Sequence, residues 1–146
     1  MTVRKESEGN IRQQYYIEPG NFATAGEAAS NIKTLLKQLG IDGSIVRRAA
    51  IAAYEAEMNL VIHSLGGSLE IIVSPELITI IAEDKGPGIE DIEQAMQEGF
   101  STASEYTREL GFGAGMGLPN IRRCSDQLNI QSEVGQGTRL EIIFDL

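Results

Sequence analysis

The spacing of apolar residues changes period once along this chain of 146 residues, and that change most constrains its fold. Between about residues 22 and 64, apolar residues recur at helical spacing in two stretches separated by Gly40. After Gly66 and Gly67 they alternate with polar residues, which is typical of strands with one buried face. We therefore predict a helical first half and a second half made mostly of strands.

The alternating runs predict two β-hairpins. One joins SLEIIVS to LITIIAED (68–84), and the other joins QLNIQSE to TRLEIIF (127–144). Short helices are predicted between the hairpins, at about 89–97 and 118–126. The fold class that follows is an α/β (α+β) two-layer sandwich, with helices packed on one face of a mixed, mostly antiparallel sheet.

The N-terminal residues are polar and give a weaker signal. We predict a frayed tail over residues 1–13 and a single domain over residues 14–146, beginning with a short strand in QYYIE (14–18). Helices are expected at about 22–39 and from a cap at Asp42 or Ser44 to about Ser64.

Composition excludes several classes of function. A net charge of −9 disfavours nucleic-acid binding, because phosphate affinity needs clustered cations; the basic pairs 47–48 and 122–123 are expected to be solvated helix faces. The single cysteine, Cys124, allows no disulfide framework and is expected to be an apolar filler. No apolar run approaches the length of a membrane span, so no membrane contact and a cytoplasmic location are expected.

The second helix carries a polar stripe in YEAEMNLVIHS (54–64). Glu55, Asn59 and His63 are four residues apart and share one helix face. A carboxylate and a carboxamide one turn apart can hold Mg²⁺, which prefers oxygen ligands, and the carboxylate can act as a general base. A solvated polar edge remains the alternative, and His63 is expected to be a helix-end residue and not a ligand.

The second feature is EDKGPGI (83–89), at the end of a predicted strand. Asp84 shares the apolar face of that strand, where an unpaired carboxylate is costly, so it needs a partner. Gly86 and Gly88 allow a tight turn and the close approach of a flat group. An ordinary Asp-x-Gly turn is the alternative.

The third feature is GFGAGMGLPNI (111–121), in which glycine occupies every second position before a helix. So much bare backbone is entropically costly, which indicates a close approach or a movement. The chain contains no P-loop, since it has no Gly-Lys dipeptide, and no glycine triplet fits G-x-G-x-x-G.

Taken in order, ExxxN on a helix, DxGPG after a strand and GxGxGL opening a later helix resemble the GHKL superfamily of ATP-binding proteins, over residues 20–146. Within it, the stretches 51–64, 80–104 and 111–138 resemble the bacterial anti-sigma-factor and stress-pathway switch serine/threonine protein kinases. The resemblance implies a Bergerat-type ATP-binding fold with ATP and Mg²⁺ as cofactors.

The resemblance also implies roles for individual residues. Glu55 would be the catalytic base, Asn59 the Mg²⁺ ligand and Asp84 the acceptor for the adenine amino group, backed by Thr138. Residues 98–117 would form the ATP lid. Glu57 would either face solvent or tune the metal. The other cofactor-binding residues implied are Gly86, Gly88, Ser101, Thr102, Arg108, Gly111, Gly113, Gly115, Met116, Gly117 and Leu118.

The implied substrate is a STAS-domain protein, and a sigma factor, a downstream phosphatase and a second copy of the chain are further partners to consider. One alternative is a nucleotide-gated switch that sequesters a regulator with little turnover. Another is the catalytic half of a histidine kinase. The chain has no room for an upstream dimerisation helix pair, and its one histidine lies inside the helix of the polar stripe, which disfavours that alternative.

Overall fold

The computed structural model describes residues 2–5, 10–86, 88, 89, 91–97 and 117–146, with backbone alone for 2–5. Its elements, in chain order, are β1 (Thr2–Lys5), β2 (Ile11–Ile17), α1 (Glu27–Gln38), α2 (Gly43–His63), β3 (Gly67–Val73), β4 (Leu77–Asp84), α3 (Ile92–Ala95), α4 (Gly117–Cys124), β5 (Gln127–Glu133) and β6 (Gly137–Asp145).

The strands form one six-stranded sheet in the order β1-β2-β3-β4-β6-β5, and every pairing between these strands is antiparallel. Alternate residues of β3, β4 and β6 are buried, so one face of each central strand points into the core. Helix α2 packs against β2, β3, β4 and β6. The predicted two-layer fold and both predicted hairpins are confirmed.

Helix α2 approaches the sheet closely because its buried face is rich in alanine, and small side chains let a helix lie near its neighbours. Four of these alanines are fully buried: Ala49, Ala52, Ala53 and Ala56. Asp42 caps the helix by accepting a hydrogen bond from the Ser44 backbone N–H at 3.1 Å. Of the two predicted caps, Asp42 or Ser44, the structure therefore has Asp42. No helix among the described residues is long and apolar enough to cross a membrane.

The prediction of a frayed N-terminal tail over residues 1–13 does not hold for residues 2–5 and 11–13, which lie in strands. Strand β2 begins at Ile11 and pairs with β3 along its whole length, and β1 pairs with β2. The alternation was hidden because a polar residue, Gln13, occupies a core-facing position and is only 4% exposed. Period-2 patterns are read from apolar residues, so a buried glutamine conceals the strand.

Helix α1 begins at Glu27 instead of about residue 22. The preceding Gly26 adopts φ +99°, a left-handed conformation that interrupts the helix on its N-terminal side. The side chain that satisfies the start of this helix comes from α2: Glu57 accepts hydrogen bonds from the backbone N–H groups of Gly26 (2.9 Å), Ala28 (3.3 Å) and Ala29 (2.8 Å).

The structure contradicts both expectations for Glu57, that it would face solvent or that it would tune the metal. It is 2% exposed, so it does not face solvent, and its two oxygens are engaged by α1. The positive end of a helix stabilises a carboxylate, which explains why this charge is tolerated inside the protein.

Arg48 was expected to lie on a solvated helix face, and the structure contradicts this prediction. Its guanidinium donates to the Cys124 carbonyl at 3.0 Å and to the Asp126 carboxylate at 3.4 Å, and lies 5.8 Å from the Phe144 ring centroid. A cation at the last carbonyls of a helix is favourable. Arg48 thus ties α2 to the C-terminal end of α4, where Cys124 is half-buried.

Candidate active site

Helix α2 presents Glu55 and Asn59 one turn apart, and both are half-buried. Burial raises the pKa of the Glu55 carboxyl, while a hydrogen bond from the Asn120 side chain acts in the opposite direction. The same helix ends at His63, whose pKa is lowered by burial. Within the described part of the chain, no cluster of three His, Cys, Asp or Glu side chains could hold a metal by itself.

The start of α4 lies directly against these two side chains. A Cβ placed on Gly117 would be 3.1 Å from Oδ1 of Asn59 and 3.4 Å from Oε2 of Glu55. Distances this short leave little room for a side chain at the first residue of α4. The last glycine of the alternating series is therefore explained by its close approach to the polar stripe of α2.

Asp84 occupies the end of β4 on the core-facing side, as its place in the alternation predicted. Its Oδ1 accepts a hydrogen bond from the Thr138 backbone N–H at 3.0 Å. Burial raises the pKa of the Asp84 carboxyl, and the Thr138 N–H works against this shift. The Thr138 hydroxyl is 2.9 Å from that of Ser132, which links Asp84 to the β5–β6 hairpin.

Two glycines that the sequence analysis did not assign to the site frame Asp84 from the neighbouring strands. A Cβ on Gly67, the first residue of β3, would lie 3.2 Å from Cβ of Asp84. A Cβ on Gly137, at φ +144°, would collide with the Asp84 carbonyl oxygen. The signal in the sequence was a glycine opening each of two strands, but only strand order shows that both strands flank β4.

The glycines after Asp84 have different surroundings. Gly86 lies between the end of α2 and Asp84: a Cβ there would be 3.4 Å from the His63 carbonyl and 3.5 Å from Asp84 Oδ1. Gly88, at φ +75°, packs on the backbone of Glu133, where a Cβ would come within 2.5 Å of the carbonyl oxygen. Packing within the protein is thus sufficient to require glycine at position 88.

These groups line a single elongated region along α2. The backbone of Lys85 exchanges hydrogen bonds with Leu65 (2.7 Å) and Gly66 (3.0 Å), which holds the end of β4 against the end of α2. Because a helix rises about 1.5 Å per residue, His63 lies about 6 Å from Asn59 and about 12 Å from Glu55 along the axis. Asp84 is therefore at one end of the region, with Glu55 and Gly117 at the other.

Leu118 is another of the predicted site residues that the structure describes. It was predicted to bind the cofactor, but its side chain is buried in the core, 9% exposed, so only its backbone is free for that role. The remaining predicted lid residues lie outside the described residues: Ser101, Thr102, Arg108, Gly111, Gly113, Gly115 and Met116.

One polar residue at this site was missed by sequence reasoning. Asn120 lies one turn after Gly117 on α4, and its side chain acts to lower the pKa of Glu55. Its Oδ1 accepts a hydrogen bond from the Arg123 guanidinium at 2.6 Å. The signal was a spacing of three between Gly117 and Asn120, which puts both on the helix face that meets α2.

Comparison with known proteins identifies a family of ATPases. The family described as "Histidine kinase-, DNA gyrase B-, and HSP90-like ATPase" matches residues 44–146. The chain is 32% identical over 115 residues to the serine/threonine-protein kinase RsbT of Bacillus subtilis, covering 76% of this chain and 80% of that protein.

Two anti-sigma F factors are similar to a comparable extent. Identity is 35% over 127 residues with the protein of Thermoanaerobacter sp. (strain X514), covering 81% of this chain and 85% of the relative. It is 32% over 137 residues with the protein of Geobacillus stearothermophilus, covering 94% and 83% respectively.

The chain therefore belongs to the family of histidine kinase-, DNA gyrase B- and HSP90-like ATPases, which implies that it binds a nucleotide. Its relatives are a small serine/threonine protein kinase and anti-sigma factors. The predicted class, a GHKL-type protein kinase of the anti-sigma-factor and switch type, is thereby confirmed.

Proposed function

We propose that this protein is an ATP-dependent serine/threonine kinase that phosphorylates a STAS-domain antagonist protein in a partner-switching pathway. The observation that carries the proposal is the meeting of Glu55, Asn59 and Gly117 at the start of α4. It brings a carboxylate, a carboxamide and the N-terminal end of an eight-residue helix to one place. Such an end favours a triphosphate, because its free N–H groups and dipole attract negative charge.

Asp84 is proposed to select adenine. Thr138 holds Oδ1 of Asp84 at 3.0 Å, which fixes the carboxylate and directs its second oxygen toward an incoming exocyclic amino group. Glycine at position 86 keeps a side chain away from this carboxylate, since a Cβ there would lie 3.5 Å from Asp84 Oδ1. The distance of about 12 Å along α2 then separates the adenine end of the site from the end at which the γ-phosphate reacts.

Magnesium fits the residues at the phosphate end. Asn59 Oδ1 is a neutral oxygen donor, and Mg²⁺ takes few protein ligands when substrate phosphates and waters complete its shell. Asn59 would hold the ion, which would offset the charge of the phosphates when bound. ATP and Mg²⁺ are accordingly the proposed cofactors.

Glu55 is proposed to be the general base. The serine oxygen of the substrate bonds to the γ-phosphorus, the bond from that phosphorus to the β–γ bridging oxygen breaks, and ADP leaves. The serine proton passes to Glu55. Burial raises the pKa of Glu55 toward that of an effective base, and the Asn120 hydrogen bond favours the ionised form that can accept the proton.

The lid over residues 98–117 remains a prediction, with Ser101, Thr102 and Arg108 as candidate phosphate contacts. Alternating glycines would let its backbone N–H groups wrap the triphosphate and let the segment open and close. A sigma factor, a downstream phosphatase and a second copy of the chain are proposed as further binding partners.

A second candidate function is a nucleotide-gated switch that sequesters a sigma factor with little turnover. The specific observation in its favour is the similarity to anti-sigma F factors. The half-buried Glu55 beside Gly117 favours the kinase, because a protein that only binds has no need of a base there.

The proposed kinase function is tested by incubating the protein with Mg²⁺, ATP labelled at the γ-phosphate and a candidate STAS-domain protein. Label should enter the STAS protein and be lost when its acceptor serine is replaced by alanine. Tight nucleotide binding without transfer to any STAS protein would establish the sequestering switch instead.

The adenine site is tested by Asp84→Asn. The amide keeps an oxygen for the Thr138 N–H but turns its NH₂ toward the adenine amino group, so two donors face each other. We expect ADP affinity to fall by about 1–3 kcal/mol, the cost of losing a hydrogen bond to a charged group. Calorimetric titration measures it, with Glu83→Gln as the matched control because Glu83 is exposed and pairs with Arg139 at 3.4 Å. Equal ADP affinity in a folded Asp84→Asn variant would remove Asp84 from the adenine site.

A further inference from the structure

A row of polar groups crosses the core-facing side of the sheet at the end of β4. The register of β3 and β4 pairs Gly67 with Asp84. The register of β5 and β6 pairs Ser132 with Thr138. The Thr138 backbone N–H joins the two pairs by donating to Asp84 Oδ1 at 3.0 Å. Side chains that share a face on neighbouring strands lie close together, so Asp84, Thr138 and Ser132 form a continuous row.

The Ser132 hydroxyl is hydrogen-bonded to groups on two other segments. It accepts from the Ile89 backbone N–H at 2.7 Å. Its oxygen lies 3.2 Å from the Gly137 carbonyl oxygen and 2.9 Å from the Thr138 hydroxyl oxygen. A serine hydroxyl has one proton and can accept at two positions, whereas a carbonyl can only accept. All of these contacts are hydrogen bonds at once only if Ser132 donates to Gly137 and Thr138 donates to Ser132.

Ser132 therefore holds both sides of the Asp84 carboxylate. On one side is Thr138, whose N–H fixes Asp84 Oδ1. On the other side is the chain that follows Asp84: a Cβ on Gly86 would be 3.5 Å from Asp84 Oδ1, and Ile89 is tied to Ser132. Movement on either side would change the place at which the second carboxylate oxygen meets a ligand.

The position of that second oxygen decides which base is preferred. ADP carries an amino group at the position where inosine diphosphate (IDP) carries a carbonyl oxygen. A carboxylate accepts from the amino group but opposes the carbonyl, so a well-placed Asp84 distinguishes the two nucleotides. A carboxylate that is free to move distinguishes them less.

We propose that Ser132 is a positioning residue for base recognition: it holds Ile89 and Thr138 on the two sides of Asp84 and thereby sets the preference for adenine. The inference rests on the proposed role of Asp84 as the acceptor for the adenine amino group. It assigns a part in nucleotide selection to β5, the strand at the edge of the sheet.

The test is calorimetric titration of each variant with ADP and with IDP. Ser132→Ala should lower ADP affinity by about threefold to tenfold, the usual effect of losing one neutral hydrogen bond, and should leave IDP affinity within about twofold. The ratio of the two affinities should therefore fall, whereas a general loosening of the fold would lower both affinities equally. Circular dichroism checks that each variant is folded.

Two conservative variants and a matched control grade the effect. Ser132→Thr keeps the hydroxyl on a residue that suits a strand, and it should keep the wild-type ratio of affinities. Ser132→Cys has a thiol that bonds weakly, so its ratio should lie between those of Ser132→Ala and Ser132→Thr. Gln131→Ala alters the exposed neighbour on the opposite face of β5 and should change neither affinity.

Thr138→Val tests the route from Ser132 to Asp84. It removes the hydroxyl but keeps the backbone N–H that holds Asp84. In this background Ser132→Ala should lower ADP affinity less than it does in the wild type, because one of its two links to Asp84 is already lost. An equal loss in both backgrounds would overturn the route through Thr138.

A second readout needs no nucleotide. The backbone amide hydrogen of Ile89 should exchange with solvent faster in Ser132→Ala than in the wild type, and at the wild-type rate in Gln131→Ala. Unchanged exchange at Ile89, or an unchanged ratio of ADP to IDP affinity in folded Ser132→Ala, would overturn the inference. A wild type that binds ADP and IDP equally well would instead overturn the proposed adenine site, and with it the base preference assigned to Ser132.

Discussion

Glu55→Gln is expected to reduce phosphoryl transfer to the STAS-domain substrate by about 10²–10⁴-fold, the usual contribution of general-base catalysis. The amide has nearly the same size and still accepts the Asn120 hydrogen bond through its oxygen, but it cannot take up a proton at neutral pH. The variant should therefore keep its affinity for ATP and for the protein partner. Single-turnover transfer of labelled phosphate measures the loss, and calorimetry with ADP measures binding.

The control for this experiment is a carboxylate remote from the site. Glu93→Gln alters an exposed residue of α3 and should transfer phosphate at the wild-type rate. If Glu55→Gln also transfers at the wild-type rate, Glu55 merely orders the helix and its surroundings, and the base must be sought elsewhere. If Glu55→Gln loses ADP binding to the same extent as transfer, Glu55 belongs to nucleotide binding.

Glu57→Ala is expected to lower the free energy of unfolding by about 3 kcal/mol or more, because it leaves buried N–H groups at the start of α1 without an acceptor. The carboxylate of Glu57 receives three such groups, from Gly26, Ala28 and Ala29. Glu57→Gln should cost less than Glu57→Ala, because one oxygen is retained. Urea unfolding followed by circular dichroism measures both, with exposed Glu76→Gln as the control that should be neutral.

The effect of Glu57→Ala should be on stability and not on the site. Residues two apart on a helix point about 200° apart, so Glu57 and Glu55 face different directions. Folded Glu57→Ala should bind ADP with nearly wild-type affinity at low temperature. Unchanged unfolding in urea would mean that water replaces the carboxylate at no cost, and reduced ADP affinity in the folded variant would couple the start of α1 to the site.

Much of the architecture was determined by the sequence alone. Both hairpins follow from the alternation of apolar residues. In the structure this alternation appears as the burial of Ile78, Ile80 and Ala82 on one face of β4. The same alternation put Asp84 on that face, and the helical period put Glu55 and Asn59 on one stripe. These features depend on residues close together in the chain, whose geometry is fixed by the period of their own element.

Other features depended on residues that are distant in the chain. Glu57 binds the backbone N–H of Gly26, 31 residues before it at the start of α1, and Arg48 binds a carbonyl 76 residues after it. No local pattern separates a carboxylate that caps another helix from one that faces solvent. The strand hidden at residues 11–13 became visible only through its pairing with β3, because a buried glutamine interrupts the apolar alternation.

The site shows the same division between sequence and tertiary structure. Sequence spacing identified Glu55 and Asn59 as candidates because they share one helix face. It identified Asp84 because this carboxylate lies on the apolar face of its strand. Only the packing of α4 on α2 brought Asn120 to Glu55, and only the strand order brought Gly67 and Gly137 to Asp84. The sequence determined which faces carry polar groups, and the tertiary structure decided which faces meet. The reason is that packing of helices and pairing of strands join segments far apart in the chain, which the periodicity of a single element does not connect.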